Sequence, residues 1–179
     1  MLYILFGLII VLSFLAMLYI TLYNKILFSK IRIEEAETLI KDELETRYDL
    51  ITSIKKIISK NTKREIKLFK ELENEKKENI TTYDLDKKIN EVLDLVYVIR
   101  NDHPKLDEKK EFKELLRKVS ESDTRINAAK SFYNENNQRL LTVIRKFPAN
   151  LIAKFNKIQI HPYYEGKEIF NEVDDGIKI

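Results

Sequence analysis

Two imidazoles, His103 and His161, and 29 carboxylates are the chain's stock for metal binding or general acid–base work. Neither histidine lies in an H-E-x-x-H pattern or any similar spacing that would set two ligands on one helical face. His103 beside Pro104 reads as a turn residue. The carboxylates alternate with Lys and Arg, as on solvated helix faces laced with ion pairs. With no cysteine there are no disulfides, thiolate chemistry or Fe–S clusters. Three glycines leave no room for a phosphate loop or a nucleophile elbow. The Glu-x-x-His of di-iron bundles does not occur either. No catalytic residue, cofactor-binding residue or metal ligand is assigned, no cofactor is expected, and an enzyme is not expected.

Another set of residues draws attention for structural reasons: Arg47, Tyr48 and Asp49; Phe132, Tyr133 and Asn134; and Phe147, Pro148 and Asn150. Arg47 and Asp49 are two apart, so on a helix they point in different directions and cannot pair with each other. A buried polar network from this trio to Tyr133 or Asn134 would set the register of two long helices. That structural role outweighs ligand binding. Phe132 is expected in the helix seam, where truncation to Ala would cost about 3–5 kcal/mol. Phe147-Pro148-Ala149-Asn150 reads as a helix stop and restart, with Asn150 capping the next turn, or as a knuckle that docks a partner.

The elements that must position these residues are helices. Three Gly and three Pro supply too few turns for a sheet protein. Ile33, Ala36, Ile40, Leu44, Tyr48, Ile51, Ile54 and Ile58, then Ile66, Phe69 and Leu72, recur at steps of three and four, the stripe of one long helix from about residue 25 to 74. Thr62 to Glu65 matches a capping box, yet a continuous helix is preferred. A second helix is expected over 82–100, capped by Thr81 with Asp84 and carrying Leu85, Ile89, Val92, Leu93, Val96 and Ile99. A third runs from about 107 to 146 through Phe112, Leu115, Leu116, Val119, Ile126, Ala129, Phe132, Tyr133, Leu140, Val143 and Ile144. A short fourth covers 150–158. One-sided stripes must bury against one another, so the expected fold is all-α, an elongated antiparallel bundle of three long helices plus a short fourth.

Ahead of the bundle, Met1 to Tyr23 carries no charged side chain. As a helix it would cover roughly 34 Å, enough for a hydrocarbon core of about 30 Å. No basic n-region or A-x-A-like site marks a cleaved signal peptide. Tyr3, Tyr19 and Tyr23 lie near its ends, where amphipathic rings favour headgroups. Lys25, Lys30, Arg32 and Lys41 follow it, which predicts an outside N-terminus and a cytoplasmic body at the cell (inner) membrane. The domains are thus a single transmembrane anchor over 1–24, a bundle over 25–158 and an irregular tail over 159–179, packed back through Tyr163, Tyr164 and Phe170. A net charge of +3, with Lys far outnumbering Arg, disfavours nucleic acid. The basic residues beside the anchor suit anionic headgroups better.

Several blocks occur in a set order: Tyr23-Asn24, Glu34-Glu35-Ala36, Arg47-Tyr48-Asp49-Leu50-Ile51, His103-Pro104-x-Leu106, Phe112 with Leu115, Glu121…Arg125-Ile126…Ala129…Phe132-Tyr133-Asn134, and Phe147-Pro148-x-Asn150-Leu151-Ile152-Ala153. In this the chain resembles the bacterial LemA family over residues 1 to about 165. The resemblance implies a membrane-anchored helical bundle with no established enzymatic activity, and it transfers no catalytic residue. Two departures stand out. Thr52 stands where relatives usually have Pro, which would weaken any kink there, and Leu140-Leu141 replace a frequent Tyr-Asn. The expected function is a non-catalytic interaction or scaffold module at the membrane, held by residues 1–24, with an unidentified protein partner or a second copy. The alternative is an envelope-associated ligand or stress sensor with a pocket between the long helices.

Overall fold

The computed structural model describes residues 1–62, 67–77, 81–160 and 162–164, and among them every regular element is helical. The order is α1 (Leu2–Thr62), α2 (Lys67–Lys77), α3 (Thr82–Asp102), a 3₁₀ turn (Pro104–Glu108), α4 (Lys110–Ile144) and α5 (Ala149–Phe155). The apolar N-terminal segment and the first amphipathic stripe, separate domains by composition, are one uninterrupted helix. Thr52 lets it continue: unlike Pro it keeps its amide donor, and its hydroxyl donates to the Tyr48 carbonyl at 3.0 Å.

The expected continuation of this helix to residue 74 is corrected. In one helix, residues 55 and 73 would be about 27 Å apart, yet Lys55 Nζ lies 2.6 Å from Glu73 Oε1. The chain has reversed between them, and α2 lies against α1 with Phe69 and Leu72 buried. On its other flank Lys88 of α3 reaches Glu71 at 3.5 Å. Of the capping-box pattern, Thr62 is the last residue of α1, while its other members and Ile66 fall on 63–66, outside the described residues.

Thr81 caps α3 as its spacing predicts, accepting the Asp84 amide at 3.1 Å while its hydroxyl donates to that carboxylate. At the other end the His103 amide donates to Ile99. Pro104 then opens the 3₁₀ turn, and Arg100 holds Asp107 across it at 2.8 Å. Helix α5 begins one residue earlier than expected. Pro148 occupies its N-cap, and Asn150 lies inside it, accepting only the neighbouring Leu151 amide. Asn150 is therefore not the cap, because a side chain must precede the first turn to reach its free amides. The helix ends at Phe155 with Asn156 as its C-cap, and two residues on the left-handed backbone of Lys157 (φ 49°) lets the Ile158 amide turn back to Ala153.

The chain divides into two compact units, Glu37–Lys130 and Met1–Ala36 with Ser131–Ile179. The core of the former is Ile40, Leu44, Ile51, Ile54 and Ile58 of α1, the α2 pair, Ile89, Val92, Val96 and Ile99 of α3, Leu106, and Phe112, Val119 and Ile126 of α4. Each such side chain contributes about 1.5–3 kcal/mol by leaving water. In the latter unit Ile26, Ile33 and Ala36 share a core with Tyr133, Leu140, Leu141, Ala149, Ile152 and Ala153. Part of the expected tail belongs to it too. Tyr164 is buried, its amide donates to Asn134 Oδ1 at 2.9 Å, and Pro162 accepts the Tyr133 hydroxyl at 3.0 Å. The irregularity expected over the rest of the tail, and the packing of Phe170, concern residues outside those described.

Candidate functional site

The stripe along α1 poses a choice at its centre. Both Arg47 and Tyr48 fit the steps between Leu44 and Ile51, and hydropathy favours the tyrosine. The structure buries Arg47 to 3% exposure and leaves Tyr48 half-buried. A guanidinium in that position needs partners from the facing helices, since an uncompensated buried charge is strongly destabilising.

Two helices supply them. From α3, Asn90 Oδ1 accepts from one Arg47 terminal nitrogen at 3.1 Å, and an Asp86 oxygen lies 4.0 Å from it. From α4, Asp123 takes the other at 2.5 Å. Asp86, itself 6% exposed, also accepts from Lys130 of α4 at 2.6 Å and faces the Asn90 amide at 3.5 Å. Two cations and two carboxylates thus balance across α1, α3 and α4. Arg47 Nε is buried without a hydrogen-bond partner. A turn earlier on α1, Glu43 accepts from Arg125 Nε at 2.6 Å and from the fully buried Ser122 hydroxyl at 3.2 Å. That hydrogen bond to Glu43 raises the Arg125 pKa, keeping it charged.

Beside this network is a cavity of about 260 Å³, lined by Arg47 of α1, by Asn90, Asp94 and Tyr97 of α3, and by Ser120 and Asp123 of α4. Among the described residues no group of three or more His, Asp or Glu side chains could hold a metal ion. His103 sits at the end of α3 as a turn residue.

The family model for the LemA family matches residues 36–174. The chain belongs to the LemA family. No curated protein matches it.

The residues singled out in this LemA chain separate into three places. Arg47 belongs to the network above. Its neighbours do not: Tyr48 faces Glu73 and Lys55, and burial followed by the Glu73 charge raises its pKa, while Asp49 is exposed. The network expected to join Arg47, Tyr48 and Asp49 to Tyr133 or Asn134 is corrected, for Arg47 engages Asn90, Asp86 and Asp123. Tyr133 and Asn134 clasp the segment at 162–164, with the Tyr133 and Tyr164 rings edge to face at 6.0 Å. Phe132, expected in the seam, is only half-buried, and the Arg32 guanidinium lies 5.9 Å from its ring centre. Tyr133, one residue on, takes the buried position because 3.6 residues per turn brings it under the stripe. Phe147 is exposed and Pro148 starts α5.

Asp86, Asn90, Ser122, Asp123 and Lys130 were not singled out by their sequence. A signal was nonetheless present. Asp86 lies three residues before Ile89, Ser122 three after Val119, and Lys130 four after Ile126, so polar side chains occupy stripe positions.

Proposed function

We propose that this LemA-family protein is a membrane-anchored helical bundle without catalytic activity, working as an interaction or scaffold module with its N-terminus outside and its body in the cytoplasm. The observation that carries this reading is the first part of α1. It contains a window of mean hydropathy 2.6, none of it buried by the rest of the chain. Its two aliphatic hydroxyls are satisfied within the helix, since Ser13 donates to Ile9 and Thr21 to Met17. Apolar surface that no protein covers and backbone groups satisfied within one helix suit a hydrocarbon environment. The cationic residues Lys25, Lys30, Arg32 and Lys41 support the orientation. A body whose central charges neutralise one another supports an architectural role.

In-cell crosslinking of the full chain with mass spectrometry, and a topology reporter fused at Ile179, tests both parts. Repeated capture of one protein with a cytoplasmic reporter is the expected result. An external reporter would overturn the orientation, and capture of nothing but further copies would replace the scaffold with a self-assembling bundle. The cavity beside Arg47 favours a second reading, a sensor of a small ligand or of stress. A ligand at 100-fold its Kd would then stabilise the body by about 2.7 kcal/mol.

A further inference from the structure

Helix α5 presents two apolar faces. Ala149, Ile152 and Ala153 pack inward. On the opposite side Leu151 and Phe155, one turn apart, are 48% and 85% exposed, and Phe147 just ahead of the helix is 78% exposed. Water is a poor environment for two phenyl rings and a leucine grouped on so short an element. Among the described residues, the stretch of chain that carries them holds charges of one sign. From Asn136 to Tyr164 there is no Asp or Glu, while Arg145, Lys146, Lys154 and Lys157 are all exposed around α5. The place of α5 along α1 is also defined. Asn156, directly after it, donates to the Tyr19 hydroxyl at 3.4 Å, and the Tyr19 ring stacks on Tyr23 with centroids 5.9 Å apart. Those tyrosines end the uncharged segment, at the depth where aromatic rings meet headgroups.

We propose that Phe147 and α5 form a lipid-docking element. In it Phe147, Leu151 and Phe155 enter the boundary between headgroups and acyl chains, and Arg145, Lys146, Lys154 and Lys157 meet anionic headgroups. It rests on the reading of α1 as a membrane anchor. Apolar side chains ringed by cations are the composition of an interfacial helix. Seven residues would hold a free peptide only weakly, but α1 makes the contact intramolecular and so removes most of its entropic cost. A bilayer accounts for the patch better than a second copy of the chain, because two such basic faces would repel each other. It also accounts for the position beside Tyr19, which a soluble partner would not require.

The absence of cysteine makes the test clean, because one introduced thiol carries the only label. The full chain is placed in nanodiscs of phosphatidylcholine alone or mixed with phosphatidylglycerol. An environment-sensitive fluorophore is attached at Phe155→Cys, at Ile10→Cys as the anchor reference, or at Ser59→Cys as the aqueous reference. The reading is quenching by a lipid-borne quencher. Strong quenching at position 155 in the anionic discs, weaker quenching in neutral ones and none at 59 is the expected result. Lys146→Gln and Lys154→Gln should each lower the ratio of docked to undocked label about fivefold. Quenching at 10 with none at 155 would overturn the docking proposal while leaving the anchor intact. No quenching at 10 would overturn the anchor reading itself. Equal quenching at 155 in both lipid mixtures would overturn the role assigned to the anionic headgroups.

Discussion

Arg47→Met keeps most of the side-chain volume and removes the guanidinium. Distance and burial then make opposite claims about which partner matters more. Asp123 is nearer, at 2.5 Å, but its side chain is 49% exposed. Asp86 is 4.0 Å away with its side chain 9% exposed. At an effective dielectric of about 20, a pair 4 Å apart has a gross attraction of about 4 kcal/mol, whereas at 2.5 Å, with the carboxylate half in water and the dielectric nearer that of bulk water, the attraction is about 2 kcal/mol. Desolvation takes back part of the first and screening part of the second, leaving couplings of about 2 kcal/mol with Asp86 and about 1 kcal/mol with Asp123. The whole substitution should cost about 3 kcal/mol, the low end for a broken buried pair, because Lys130 still neutralises Asp86 and water reaches Asp123. The assay is urea unfolding followed by far-ultraviolet circular dichroism on residues 30–179, a fragment expected to be soluble and mainly helical. Double-mutant cycles with Asp86→Asn and Asp123→Asn give the couplings. A loss below about 1 kcal/mol would mean that the guanidinium is hydrated. A larger coupling to Asp123 than to Asp86 would refute the claim that burial outweighs distance here.

Other substitutions probe separate joints of the fold. Phe132→Ala should cost about 1–2 kcal/mol, since a half-buried ring forfeits only part of its burial and one cation–π contact; a loss above 3 kcal/mol in the same unfolding assay would return Phe132 to the seam. Tyr133→Phe removes the hydrogen bond to Pro162 and should cost about 0.5–1.5 kcal/mol, with earlier proteolytic cleavage at the 162–164 segment as its signature. Thr81→Ala should cost about 0.5–2 kcal/mol through loss of the α3 cap, and an unchanged urea midpoint would show that the cap is not needed. Tyr48 sets an alkaline limit. Its folded-state pKa is raised above the ordinary value of 10.0, so its contribution is fully present below that value and is lost as pH rises through the folded one. Tyr48→Phe should flatten the fall in stability above about pH 10, and an identical slope in both proteins would assign that fall to other groups.

Periodicity located α3, α4 and α5 to within a few residues, and it named nearly every buried aliphatic side chain, because an amphipathic stripe is a property of local sequence alone. It erred at positions where two neighbours fit the stripe equally well. Arg47 against Tyr48, Asp86 against Leu85 and Tyr133 against Phe132 are such pairs. Hydropathy picks the apolar member or takes the pair together, and at 47 and 86 the fold buried the charged one. The reason lies in the partners, since burying Arg47 is tolerable only with Asp86, Asn90 and Asp123 around it, and nothing near Arg47 in sequence announces them.

The sequence by itself determined that the chain is helical, that it begins with an uncharged segment long enough to cross a bilayer, where α3 starts, and which family the blocks resemble. Each of these depends on residues close together in the chain: a stripe, a hydropathy window, a cap, a motif. Tertiary structure decided that the first helix is continuous from Leu2 yet the chain reverses before Glu73. It decided that Arg47, Asp86, Asp123 and Lys130 form one neutral network, and that α5 lies beside Tyr19 with Leu151 and Phe155 facing outward. Those outcomes join residues tens of positions apart. Which charge neutralises which, and which apolar face is left uncovered, is settled only when the helices meet.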